Sequence, residues 1–201
     1  MTIFGSARCV PGDPLYLLAY DLGYACAQRG WVVRNGGYGG TMEAAARGAA
    51  AAGGASIGVV VRSFRGREPN RFSTQRVWTP NLFARLQRLT RGSQAFVVLP
   101  GGTGTLVELA LTAEMFAKGL LPRLGVPLIL LGEYWRPVIE VVRREADSLK
   151  RLTLAATVAD VVAVLATREG QAEAGGGSAA VRAHVSQPAA PSEALAAERR
   201  V

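Results

Sequence analysis

Two patterns of apolar residues alternate along the chain. Short continuous runs at 2–5 (TIFG), 31–34 (WVVR), 57–61 (IGVVV), 95–99 (AFVVL) and 126–131 (VPLILL) predict strands buried on both faces. Between them, apolar residues recur every three or four positions, the period of a helix with one buried face. Leu15, Leu18, Ala19, Leu22 and Ala25 mark such a helix over 13–29, and others are predicted from Thr41, over 80–91, 105–118 and 134–149, and near 158–167. The piece QRVWT at 75–79 reads only as extended. A strand followed by a helix, repeated, predicts an α/β fold: a parallel sheet with helices on both faces and ligands at the carboxyl ends of the strands. This organisation covers one domain over 1–169. From 170 to 201 glycine, alanine, serine and proline replace the apolar period, which predicts a disordered tail.

Composition narrows the function classes. The chain has 201 residues, 49% hydrophobic and 19% charged, as expected of a globular protein with a full core. No apolar run approaches the length of a membrane span, and the opening MTIFGSAR lacks the apolar centre of a signal peptide, so a cytoplasmic protein without membrane association is expected. Cys9 and Cys26 lack metal or redox spacing and read as small buried hydrophobes. The one histidine, His184, lies in the predicted tail, which excludes catalytic triads, Cys-His dyads and histidine-ligated zinc. Carboxylates, arginines and backbone amides are left to do any chemistry, with no metal site and no cofactor expected. The net charge of +8 is almost wholly arginine, since Lys118 and Lys150 are the only lysines. Guanidinium suits phosphate, but a codon bias toward Arg, Ala and Gly explains the charge equally well, and charge alone does not indicate a nucleic-acid partner.

Two glycine loops, NGGYGG at 35–40 and PGGTG at 100–104, sit where a predicted strand feeds a helix. Amides of a first helical turn lack intrahelical partners and carry partial positive charge, and glycine lets an anion approach them. Neither loop is a Walker loop, because no lysine follows in the required place. A dinucleotide fingerprint is also disfavoured, since Arg62 stands where the acidic residue belongs. Glu108 follows Thr105 by three positions and returns to the loop's side of the helix; Glu43 is in the first turn after the other loop, and Glu114 is on a different face. In the 80–91 helix, Leu82, Phe83, Leu86 and Leu89 form the predicted apolar stripe, with Arg85 at its border and Arg88 and Arg91 facing solvent.

The segment LPGGTGTLVEL resembles the P-G-G-x-G-T-x-x-E signature of the LONELY GUY (LOG) family, once labelled lysine decarboxylases, and LFARLQRL resembles the family's M-x-x-R-K-x-x-M. The similarity runs from Phe4-Gly5-Ser6 through GGYGGTMEAA to Trp135, roughly two-thirds of the chain. It implies a Rossmann-like homodimer that hydrolyses the N-glycosidic bond of a nucleoside 5′-monophosphate, a cytokinin nucleotide or AMP, giving base and ribose 5-phosphate. Carried over residue by residue, it implies Gly101, Gly102, Thr103, Gly104 and Thr105 as the phosphate cradle and Arg85 and Glu108 as the catalytic pair. Ser6, Gly39, Gly40, Met42 and Glu43 become candidate substrate contacts. Leu86 stands where the family has lysine, Leu82 and Leu89 replace its methionines, and Glu43 replaces a glycine. The alternative is a non-catalytic nucleotide or molybdenum-cofactor carrier of the same fold.

Overall fold

The computed structural model of the chain describes residues 1–64, 66–121, 126–145, 149 and 152–175, with side chains through 167. Seven strands form one parallel sheet: β1 (Thr2–Phe4), β2 (Val33–Asn35), β3 (Ser56–Val61), β4 (Gln75–Thr79), β5 (Phe96–Val98), β6 (Leu128–Leu131) and β7 (Thr153–Ala155). Their order is β4-β3-β2-β1-β5-β6-β7, with the chain stepping outward from β1 in both directions. Among the described residues six helices connect or follow them: α1 (Pro14–Gln28), α2 (Thr41–Ala51), α3 (Leu82–Thr90), α4 (Thr103–Ala117), α5 (Arg136–Val142) and α6 (Val158–Gly175).

Strand alternation divides the core between the two faces. Ile3, Val97, Leu99, Ile129 and Leu131 pack against α1, α2 and α6, whereas Phe4, Phe96, Val98, Leu128 and Leu130 pack against the α3, α4 and α5 side. On the first face α1 and α2 touch backbone to backbone: a β-carbon at Gly23 would stand 2.8 Å from Ala45 Cα, and one at Gly48 would stand 2.9 Å from Tyr24 N. This doubly wound arrangement is the one expected.

Several sequence expectations are corrected in detail. QRVWT is a true edge strand, β4, joined to its parallel neighbour β3 by a stretch with no helix among its described residues. β7 was not expected; three residues are too short to show a period. The buried stripe of α1 is Tyr16, Ala19, Leu22, Gly23, Cys26 and Ala27, so Leu15, Leu18 and Ala25 sit at its half-buried margin. Cys26 is buried in that stripe, where desolvation pushes its thiol up to about 12, but Cys9, in the loop after β1, is only half-buried. The helix expected over 134–149 ends at Val142, since only Ile139 of its residues is buried and little holds further turns. α6 continues to Gly175, past the expected domain boundary; the rest of the predicted tail, with His184, lies outside the described residues.

Candidate active site

β1 and β5 lie at the point where strand order reverses, the place where sheets of this kind open a crevice. Their pairing continues beyond the strands: Leu99 N donates to Phe4 O at 2.9 Å and Ser6 N to Pro100 O at 3.0 Å, so the loops after β1 and β5 leave the sheet side by side. Trp135 Nε1 holds the same strand end by donating to Leu99 O at 2.9 Å.

The PGGTG loop enters α4 at once, with Gly102 as the N-cap and no side chain capping the first turn. Gly102, Thr103 and Gly104 are exposed, so the positive end of α4 is open to an anion. Thr105 is buried instead, tucked beneath Gly101, where an added β-carbon would lie 2.7 Å from Thr105 Cβ. Of the two threonine hydroxyls expected in the cradle, Thr103 therefore faces out and Thr105 faces in.

The NGGYGG loop is built differently. Buried Asn35 donates Nδ2 to Met42 O at 3.0 Å and accepts from Gly37 N at 2.8 Å, and Gly37 and Gly40 have φ of 77° and 69°, values that favour glycine. Thr41 N and Oγ1 both donate to Ser6 O, at 2.8 and 3.1 Å, and a β-carbon at Gly40 would lie 2.7 Å from Ala7 Cα. The first amide of α2 is thus taken by the chain itself. Among the candidate substrate contacts, Ser6 is occupied through its backbone, Met42 is buried, and Glu43 accepts a hydrogen bond from Tyr16 Oη at 3.0 Å. Gly39 has only Ala7 O, at 4.0 Å, beside its missing β-carbon and is the most open of the loop.

Between the loops lies a buried ion pair. Thr105, Glu108, Leu109, Thr112 and Ala113 form the inward stripe of α4, which turns the Glu108 carboxylate inward one turn below the open amides. Arg85 Nη1 donates to Glu108 Oε1 at 2.8 Å, and Arg85 Nε donates to Val59 O on β3 at 3.1 Å. Arg85 is thereby central to the buried side of α3, with Leu86, Leu89 and Thr90, and not at its border. Leu82 and Phe83, expected in the apolar stripe, are outside it, at 42% and 82% exposure. The helix has rotated because the guanidinium finds two acceptors inward, which meets the cost of burying it.

Glu108 Oε2 and Arg85 Nη2 make no hydrogen bond among the described residues, and each side chain keeps 9% of its surface exposed. Burial pushes the Glu108 carboxyl above the usual carboxylate value, and the Arg85 charge and hydrogen bond pull it part of the way back. A carboxylate so placed is a stronger base than an exposed one and keeps one oxygen for a reactant.

The sequence profile of the SLOG cluster4 family matches residues 1–162. The chain belongs to the SLOG cluster4 family. This SLOG cluster4 protein is 40% identical over 119 residues to a cytokinin riboside 5′-monophosphate phosphoribohydrolase of Mycobacterium tuberculosis, an alignment covering 58% of this chain and 62% of that one. A protein of the same name from Mycobacterium marinum is 38% identical over 136 residues, covering 66% and 71%. The molybdenum cofactor binding protein of Rippkaea orientalis superposes with a TM-score of 0.68 at 25% identity, covering 84% of this chain and 95% of its own. The Rossmann-like architecture of the SLOG cluster4 chain is therefore shared with solved structures.

Three supports of the site in this SLOG cluster4 protein escaped the sequence reading. Asn35 ties down the first glycine loop, the Val59 carbonyl orients Arg85, and Trp135 fixes the end of β5. An asparagine just before paired glycines signals a turn, so Asn35 was within reach of sequence reasoning. A backbone carbonyl and a distant indole carry no such signal.

Proposed function

We propose that this chain hydrolyses the N-glycosidic bond of a nucleoside 5′-monophosphate, of the cytokinin-nucleotide or AMP type, to free base and ribose 5-phosphate. The observation that carries the reading is the buried Arg85–Glu108 pair, each partner with one polar atom left unbonded among the described residues, a single helical turn from amides that no side chain of the N-cap covers. The names of the two mycobacterial relatives support the same reaction class.

In this reading the 5′-phosphate docks on the amides of Gly102, Thr103 and Gly104, and that binding fixes the ribose over Glu108. Water adds to C1′ while the bond from C1′ to the base nitrogen breaks; the bonding pair leaves with the base, which takes up a proton. Positive charge builds on the ribose as the bond lengthens. Glu108 Oε2 stabilises that charge and accepts the proton of the attacking water, while Arg85 holds Oε1 and presents Nη2 to the substrate.

The test is base release from AMP by the purified full chain, run beside calorimetric titration with AMP. Free adenine and ribose 5-phosphate in equal amounts are expected. Tight binding of AMP without adenine would overturn the hydrolase and favour a carrier, the reading supported by the likeness to the Rippkaea orientalis protein and by Leu86 at the position of the LOG lysine.

We also propose a homodimer. Helices α3, α4 and α5 pack on one face of the sheet, and on them Phe83, Val107 and Val141 are 82%, 45% and 62% exposed, apolar side chains that a second copy would cover. Sedimentation equilibrium is expected to give twice the chain mass, and Phe83→Glu to reduce it to the single chain; an intact wild-type monomer would refute this assembly.

A further inference from the structure

We propose that Gly36 is a positioning residue whose missing side chain makes the slot in which the Arg85 guanidinium lies, so that the first glycine loop houses a cation while the second offers amides to an anion. The inference rests on the reading of the Arg85–Glu108 pair as the centre of the site. A β-carbon built on Gly36 would overlap Arg85 Nη2 and lie 3.0 Å from Arg85 Cζ and 2.6 Å from Met42 Sδ. Gly36 has no positive φ, so backbone conformation does not demand glycine here; the neighbouring arginine does.

The loop cannot retreat to make room. Gly37 N is held by Asn35 Oδ1 at 2.8 Å, and Gly37 O accepts from Asn70 N at 2.9 Å. Asn70 Nδ2 donates to Tyr38 O at 3.0 Å, and a β-carbon at Gly37 would already lie 3.1 Å from Gly58 Cα on β3. On the other side, Arg85 is fixed by Val59 O and Glu108. Any side chain at 36 must therefore displace the guanidinium or the Met42 thioether, and both side chains are buried. The guanidinium stands closer to the added carbon and gives way first. Its displacement weakens the charge that offsets the burial of Glu108 and also closes off Nη2.

Gly36→Ala tests this in the wild-type and Arg85→Gln backgrounds, following the Glu108 carboxyl by carbon-13 NMR titration and adenine release from AMP by steady-state kinetics. In the wild-type background the Glu108 midpoint is expected to move upward by roughly one pH unit. The kcat should fall on the order of tenfold, with a smaller change in KM. In the Arg85→Gln background the same alanine should change both quantities less than about twofold, because the shorter glutamine leaves the slot empty. Should Gly36→Ala alone fail to fold, the double variant is expected to fold. Equal effects in both backgrounds, or an unmoved Glu108 midpoint, overturn the proposal. A wild-type chain that releases no base defeats the hydrolase reading, and the titration then judges the slot by itself.

Discussion

Glu108→Gln is expected to lower kcat for adenine release from AMP by roughly 10²–10⁴-fold, the range removed with a positioned general base, while the affinity for AMP changes little. Glutamine keeps an oxygen to accept from Arg85 Nη1, so the bond now 2.8 Å long has a successor and the fold survives. In the proposed reaction, what disappears is the charge assigned to face the ribose and the acceptor assigned to the proton of water. The pH profile gives a second reading of the same residue. Because burial places the Glu108 midpoint above the usual carboxylate value, wild-type activity should fall on the acid side at a pH above the ordinary glutamate range. The variant should retain no acid limb attributable to this group. Single-turnover kinetics from pH 4.5 to 8 on both proteins decide it, and turnover undiminished by the substitution would remove Glu108 from the chemistry.

Arg85→Met is expected to destabilise the native chain by about 3–5 kcal/mol near pH 8, since it strands a buried carboxylate without its partner. The sign of the pH dependence follows from Glu108. Its midpoint in the folded chain is raised, so its contribution to stability is full below the ordinary glutamate value and is lost as pH rises through the folded midpoint. Without the guanidinium that midpoint rises further. The deficit of the variant should then be small in acid, grow from the wild-type midpoint to the variant's, and level off above it. Urea unfolding at a series of pH values measures this directly. A deficit independent of pH would mean that Arg85 contributes packing alone and that the pair is not electrostatically coupled.

The two site residues differ in how legible they were. Glu108 could be placed from sequence because its distance from the PGGTG turn is local: three positions along a helix return a side chain to the same side, whatever the rest of the fold does. Arg85 could not. Apolar periodicity made Leu82 and Phe83 part of the core and left the arginine at its edge, and the structure reverses that assignment. A hydrophobic stripe estimates burial by counting apolar side chains, and it has no term for a charged group whose partners wait on other elements. Phe83 remains outside for the converse reason: apolar character permits burial but needs a surface to be buried against, and among the described residues it stays 82% exposed.

The glycine loops show the same division. Their position between strand and helix was plain from sequence, and residue type made both candidates for an anion, but their separate roles were not legible there. Ser6 closes the first amide of α2, whereas no side-chain cap is seen on α4 among the described residues, and only the pairing of β1 with β5 past the strand ends sets Ser6 beside Pro100. By itself the sequence determined the alternation of strands and helices, the parallel sheet and the tight turn into α4, because each depends on residue type and short spacing. The tertiary structure alone decided that Arg85 goes inward, that Gly36 leaves space for it and that Glu108 meets it at 2.8 Å. Those contacts join residues on β3, α3, α4 and the loop after β2, and a charge is buried only where such distant partners converge.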